Sequence, residues 1–175
     1  MTSVDIAALS KADAAEFGAA VAPLFEGAPR FLERLAGAGP FGTWSDLFER
    51  ARAIAHGMPE EEQLELIDAH PRLGAPPGTV SALSYREQGY DRPDGAPLDV
   101  AGELERLNAA YEARFGFRYC VFVAGRPRAA LLPEMEASLW QDRDAELHRA
   151  LDAVVDIAMA RLDALHADAG KPTKS

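Results

Sequence analysis

The chain has 175 residues, enough for one domain with a substantial core. Hydrophobic residues make up 48% and charged residues 26%, the balance of an ordinary globular protein. The formal net charge of −10 argues against nucleic acid or an anionic membrane as the main partner, although a local arginine can still reverse the sign inside a pocket for an anionic small molecule.

The periodicity is helical almost throughout. Ser10 is the candidate N-cap of a first helix that places Phe17, Val21, Leu24 and Phe25 on one face. Pro29 suits the first turn of a second helix carrying Phe31, Leu32 and Leu35. Thr43 or Ser45 caps a third, with Leu47, Phe48, Ala51 and Ile54 inward and Gly57 as its stop. Pro59 opens a fourth, whose Glu60, Glu61 and Glu62 favour the positive end of the helix dipole. Residues 70–98 are rich in proline and glycine, and only the piece from Ser81 to Gln88 is expected to be ordered. Helix returns near Asp99, with Leu104, Leu107, Tyr111 and Phe115 on one stripe and Gly116 as terminator. Residues 117–123 read equally as a buried extended segment or as a helix start. Pro127 begins another helix with Leu131, Leu132, Met135 and Leu139. The last runs from about Arg143 to Leu165. The predicted fold is all-α: a single-domain bundle of about seven to nine helices over residues 1–168, with a loop-rich insert near 70–98 and a polar tail at 169–175 expected to be disordered.

There is one cysteine, Cys120, so no internal disulfide can form. No apolar run approaches the ~20 residues of a membrane span, and the start lacks a basic region followed by an apolar stretch. A cytoplasmic location is the resulting expectation. His-x-x-x-His, Cys-x-x-Cys, Gly-x-Ser-x-Gly and a strand-to-helix glycine-rich loop are all absent, so neither metal nor nucleotide cofactor is expected.

Chemistry concentrates between Ala69 and Asn108. His70 ends the fourth helix, and Pro71 turns the chain off the helix axis, which can aim the imidazole into the space enclosed by the following loop. A histidine at a helix end is also a common dipole partner, and so are His56 and His166; His148 has no assigned role. Glu87 is the best carboxylate to pair with His70, a pairing that would raise the imidazole pKa and fix its tautomer. Ser84 and Gln88 share a helical face with it. Ser84 and Glu87 also fit a capping box. Arg161, on an otherwise apolar helix, needs an anionic partner and is a natural clamp for a carboxylate or urea-like carbonyl.

Taken together, Ala-His-Pro-Arg-Leu-Gly at 69–74, Ser-x-x-Glu-Gln at 84–88, Leu-Asn-Ala-Ala-Tyr at 107–111 and Arg-Phe-Gly-Phe at 114–117 resemble the 2-oxo-4-hydroxy-4-carboxy-5-ureidoimidazoline (OHCU) decarboxylase family. Ala-Pro-Leu-Phe-Glu-Gly-Ala-Pro-Arg at 22–30 and Arg161-Leu162 also fit, so the likeness covers most of the chain. The resemblance implies formation of (S)-allantoin in urate degradation, without metal or organic cofactor. It implies His70 as catalytic acid/base with Glu87, and Arg161 as substrate anchor. It further implies that Pro71, Ser84, Gln88, Tyr119, Cys120, Val121, Phe122 and Val123 contact the ligand. A homodimer and a hydroxyisourate hydrolase as supplying partner are implied as well.

The chain departs from the family in carrying Arg72-Leu73-Gly74-Ala75 after His-Pro, a shorter run from His70 to Glu87, Gly89-Tyr90-Asp91 after Glu-Gln, and Ser138 where relatives often have arginine. A related enzyme acting on another ureide, and a helical interaction module without activity, are the competing readings.

Overall fold

The computed structural model describes residues 5–92 and 98–169. Among these residues it contains nine α-helices, two short 3-10 turns and no strand. The helices are α1 (Ile6–Leu9), α2 (Ala14–Val21), α3 (Pro29–Gly37), α4 (Trp44–Gly57), α5 (Glu60–Asp68), α6 (Ala82–Glu87), α7 (Leu98–Phe115), α8 (Arg128–Ser138) and α9 (Arg143–Ala169). The bundle is all-α, as the periodicity predicts. Residues 93–97 of the insert, and the expected tail beyond Ala169, lie outside the described residues.

α9 is the axis of the molecule. Its 27 residues span ~40 Å. It packs against α4, α5 and the 3-10 turn Ala22–Phe25. Leu151, Val154, Val155 and Ala158 on α9 are fully buried, as are Leu47 on α4 and Leu66 on α5. Each buried aliphatic side chain of this kind contributes ~2 kcal/mol over exposure. α7 buries the stripe Leu104, Leu107, Tyr111 and Phe115 and stops at Gly116, whose φ of +82° suits a residue without a Cβ.

Local chemistry corrects several boundaries. Ser10 closes α1 instead of opening a helix, and its Oγ accepts from the Phe41 amide at 2.9 Å. Asp13 is the N-cap of α2, accepting from the Ala15 and Glu16 amides. Thr43, not Ser45, caps α4, in a reciprocal box with Asp46. Ser81 caps α6 by accepting from the Ser84 amide, so Ser84 is not a cap and its hydroxyl is released for other work. Residues 117–123 form neither helix nor strand, and Tyr119 to Val123 line one side of a cavity.

The insert is fastened by side chains. Gly74 N–H donates to Gln88 Oε1 at 2.7 Å, and Gln88 Nε2 donates back to the Arg72 carbonyl at 3.1 Å. Asn108 Nδ2 donates to the Leu73 carbonyl. Arg72 makes a two-pronged ion pair with Glu112 at 2.7 and 2.5 Å, and the Tyr90 hydroxyl donates to the Ala75 carbonyl. Gly74 has φ +83°, and a Cβ there would lie 2.9 Å from Leu104 Cδ1, so a side chain is disfavoured on both counts.

Candidate active site

His70 sits one residue past the C-cap of α5, and Arg118 Nη1 donates to the carbonyls of Asp68 and His70 to fix that end. The imidazole folds back along its own helix. Nδ1 lies 3.1 Å from the Leu66 carbonyl oxygen. A carbonyl only accepts, so Nδ1 carries the proton and Nε2 presents a lone pair. Nε2 is buried and has no hydrogen-bond partner among the described residues. Burial, reinforced by the nearby Arg161 charge, lowers the imidazole pKa to about 4. The imidazole is thus a neutral, pre-oriented proton acceptor.

Glu87 is not the partner of His70. It grips Arg161 with both oxygens, at 2.6 Å from Nε and 2.9 Å from Nη2. The expected imidazole–carboxylate pair is absent for a geometric reason: the ring reaches Leu66 one turn back, and the guanidinium claims the carboxylate. The direction of the imidazole shift is correspondingly down, not up.

Arg161 is 2% exposed and its guanidinium is surrounded. Nη1 donates to the Pro23 and Leu24 carbonyls, and Nη2 also faces Glu26 Oε1 at 2.8 Å and Ser84 Oγ at 3.0 Å. Every N–H of this group therefore has a protein acceptor. The Ser84 hydroxyl itself donates to Glu26 Oε1 at 2.5 Å. Burial raises the Glu87 pKa against the pull of Arg161. Burial pushes Glu26 up as well, but there the Ser84 hydroxyl and Arg161 prevail and hold it below the usual carboxylate range.

His70, Ser84, Glu87 and Arg161 border one cavity of about 280 Å³, a size suited to a small metabolite. His70, Pro71, Ser84, Glu87, Gln88, Tyr119, Cys120, Val121, Phe122, Val123 and Arg161 all line it. They do so differently. Gln88 reaches the cavity, but both ends of its amide hold the loop at 72–74. Burial pushes the Cys120 thiol up to about 12, so it serves as apolar wall and not as nucleophile. Arg149 braces the far wall: Nη1 donates to the Cys120 carbonyl at 2.8 Å, and the guanidinium stacks over the Tyr119 ring. Its charge is met by Glu146, a buried carboxylate that also accepts from the Tyr111 hydroxyl.

Sequence reasoning missed Glu26, the Leu66 carbonyl, Arg92 and Arg149. For Glu26 a signal existed, a carboxylate after the apolar run Val21 to Phe25. For a backbone carbonyl none could exist. Among the described residues no group of three or more His, Cys, Asp or Glu side chains is arranged to hold a metal ion, and no helix is long and apolar enough to cross a membrane.

The family model for OHCU decarboxylase matches residues 10–163. The chain is 34% identical over 139 residues to the uric acid degradation bifunctional protein PucL of Bacillus subtilis, covering 79% of this chain but only 28% of that protein. It is 28% identical over 162 residues to the 2-oxo-4-hydroxy-4-carboxy-5-ureidoimidazoline decarboxylase of Haloferax volcanii, covering 93% of this chain and 96% of the relative. A solved OHCU decarboxylase, crystallised in the presence of (S)-allantoin, superposes with a TM-score of 0.66 at 23% identity, over 81% of this chain and 94% of that one. The structural likeness establishes a shared fold.

Proposed function

The chain belongs to the OHCU decarboxylase family, and we propose that it decarboxylates 2-oxo-4-hydroxy-4-carboxy-5-ureidoimidazoline to (S)-allantoin in urate degradation. The observation that carries this reading is the bare, buried Nε2 of His70 in a cavity that Glu87 and Arg161 also line.

The substrate loses its carboxylate from a carbon that also bears a hydroxyl. In our reading His70 Nε2 accepts the hydroxyl proton, which requires the neutral imidazole. The C–CO2 bond then breaks, and its electron pair enters the ring toward the adjacent C=N. Solvent supplies the proton for the ring nitrogen, and Nε2 returns the hydroxyl proton to one face of the carbon bearing the ureido group. One imidazole on one wall makes that delivery single-sided, so the product is a single enantiomer. Glu87 keeps a lone pair on each oxygen for substrate N–H groups while Arg161 holds it still. Arg161 acts through Glu87 and Ser84, because its own donors are committed to the protein. Pro71, Tyr119, Val121, Phe122 and Val123 supply the apolar walls that exclude water. A homodimer, and supply of substrate by a hydroxyisourate hydrolase, are carried over from the family into the same proposal.

The test is chiral. The substrate is generated from urate in situ, and circular dichroism follows (S)-allantoin with wild type and with His70→Ala. Acceleration by wild type alone is expected. A wild-type rate equal to the uncatalysed one rejects the assignment.

A further inference from the structure

The inner part of the cavity offers no unpaired positive charge to its proposed substrate. The charged groups lining its inner part are the carboxylate of Glu87 and the guanidinium of Arg161, and Glu26 pairs with that guanidinium from behind. His70 adds no charge, since its Nε2 is unprotonated. The Arg161 charge is therefore already neutralised, and Arg161 has no N–H left to offer. A substrate carrying a carboxylate needs a cation elsewhere on the wall.

Arg92 supplies one. It lines the cavity between two turns, the one at 88–92 and the one at Ala124 and Gly125. Its side chain folds over Gly89, where a Cβ would lie 3.4 Å from both Nε and Cζ. Nη1 donates to the Gly125 carbonyl at 2.7 Å, which holds the fork at the mouth, and among the described residues its other N–H groups have no protein acceptor. Its cationic neighbours are already engaged. Arg126 donates to the Phe122 and Val123 carbonyls and to Glu134, and Arg128 lies over the Tyr90 ring.

We propose that Arg92 recognises the substrate carboxylate and selects the anionic ureide over neutral ones. The inference rests on the decarboxylase reading. A planar fork with free N–H groups suits a carboxylate in geometry and charge. The contact is made on binding and is largely kept until the C–CO2 bond has broken, so it contributes about equally to the bound substrate and the transition state. It therefore sets KM and not kcat. Arg92 is a specificity-determining residue that makes no proton transfer.

The experiment compares Arg92→Gln and Arg92→Lys with wild type, using urate-derived substrate and (S)-allantoin, an uncharged product, as inhibitor. For Arg92→Gln, KM rises about three- to fivefold while kcat stays within about twofold, the scale of an exposed charge contact. The allantoin inhibition constant does not change. Arg92→Lys recovers most of the KM. Added salt raises the wild-type KM more than that of Arg92→Gln, because screening acts only where the charge remains. An unchanged KM in Arg92→Gln overturns the proposal. So does a parallel rise in KM and in the allantoin constant, which would make Arg92 a mere wall. A wild type without decarboxylase activity sinks the underlying reading first, and is distinguishable because no KM can be measured.

Discussion

Glu87 clasps Arg161 through both carboxylate oxygens, and that clasp leaves His70 to the carbonyl of Leu66. The imidazole and the ion pair thus line one cavity with different partners. The imidazole keeps a free nitrogen and no charge. The ion pair keeps its charge and stays fixed.

His70→Asn preserves polarity and approximate shape but cannot relay a proton. We expect kcat to fall ~10²–10³-fold, the usual range for loss of a general acid–base group. The far-ultraviolet spectrum should match wild type. Initial rates of (S)-allantoin appearance are the measurement, and full activity in this variant would remove His70 from the chemistry.

The buried imidazole also makes stability depend on pH. Its folded pKa is about 4, against 6.5 for the unperturbed group. The unfolded chain therefore binds more protons between those values. The contribution is fully present above about pH 6.5 and is lost as pH falls toward 4. Relative to His70→Asn, wild type should lose up to roughly 3 kcal/mol across that window. Urea melts of both proteins at three pH values measure it, and a constant difference would mean that the imidazole titrates normally.

Glu87→Gln removes one charge of the clasp but leaves Glu26 and the Pro23 carbonyl on Arg161. Folding should survive, with a stability loss of ~1–3 kcal/mol from the weakened pair. Turnover should drop by at least ~10-fold, since a neutral amide turns a donor toward groups that need an acceptor. Thermal melts beside rate measurements check this. Global unfolding would assign Glu87 to structure alone.

Gly74→Ala meets two obstacles, the positive φ and Leu104 Cδ1 at 2.9 Å. We expect a cost of ~2–3 kcal/mol. Gly116→Ala is the control: its φ is +82° but nothing lies within 4 Å of the added Cβ, so only the ~1 kcal/mol of left-handed strain applies. Denaturant midpoints of the two variants should differ clearly, and equal midpoints would show that Leu104 yields freely.

Period and punctuation made the helices legible. The Leu104, Leu107, Tyr111 and Phe115 stripe buries as its spacing requires, and Gly116 ends it. Caps were less legible, because Ser10, Asp13, Ser81 and Ser84 are all acceptable cap residues and only chain direction decides among them. The positions singled out around the cavity were readable as residue types in motifs, and the structure sets them around one hollow. Their pairing was not readable. Spacing gave Glu87 to His70, but a carboxylate near a guanidinium pairs with the stronger and better-shaped cation. The acceptor for His70 is a backbone carbonyl, which carries no residue signature. Glu26 reaches the same guanidinium from 135 residues away, a separation no local pattern encodes.

Arg161 follows Glu87 by 74 residues along the chain. On a translating ribosome those residues take ~4–15 s to appear at ordinary elongation speeds. Throughout that interval the acidic side chains at 26 and 87 have been made and their cation has not, so the nascent protein cannot close the hollow around them. Charge balance around these two acids is therefore complete only once the helix that carries Arg161 has been made.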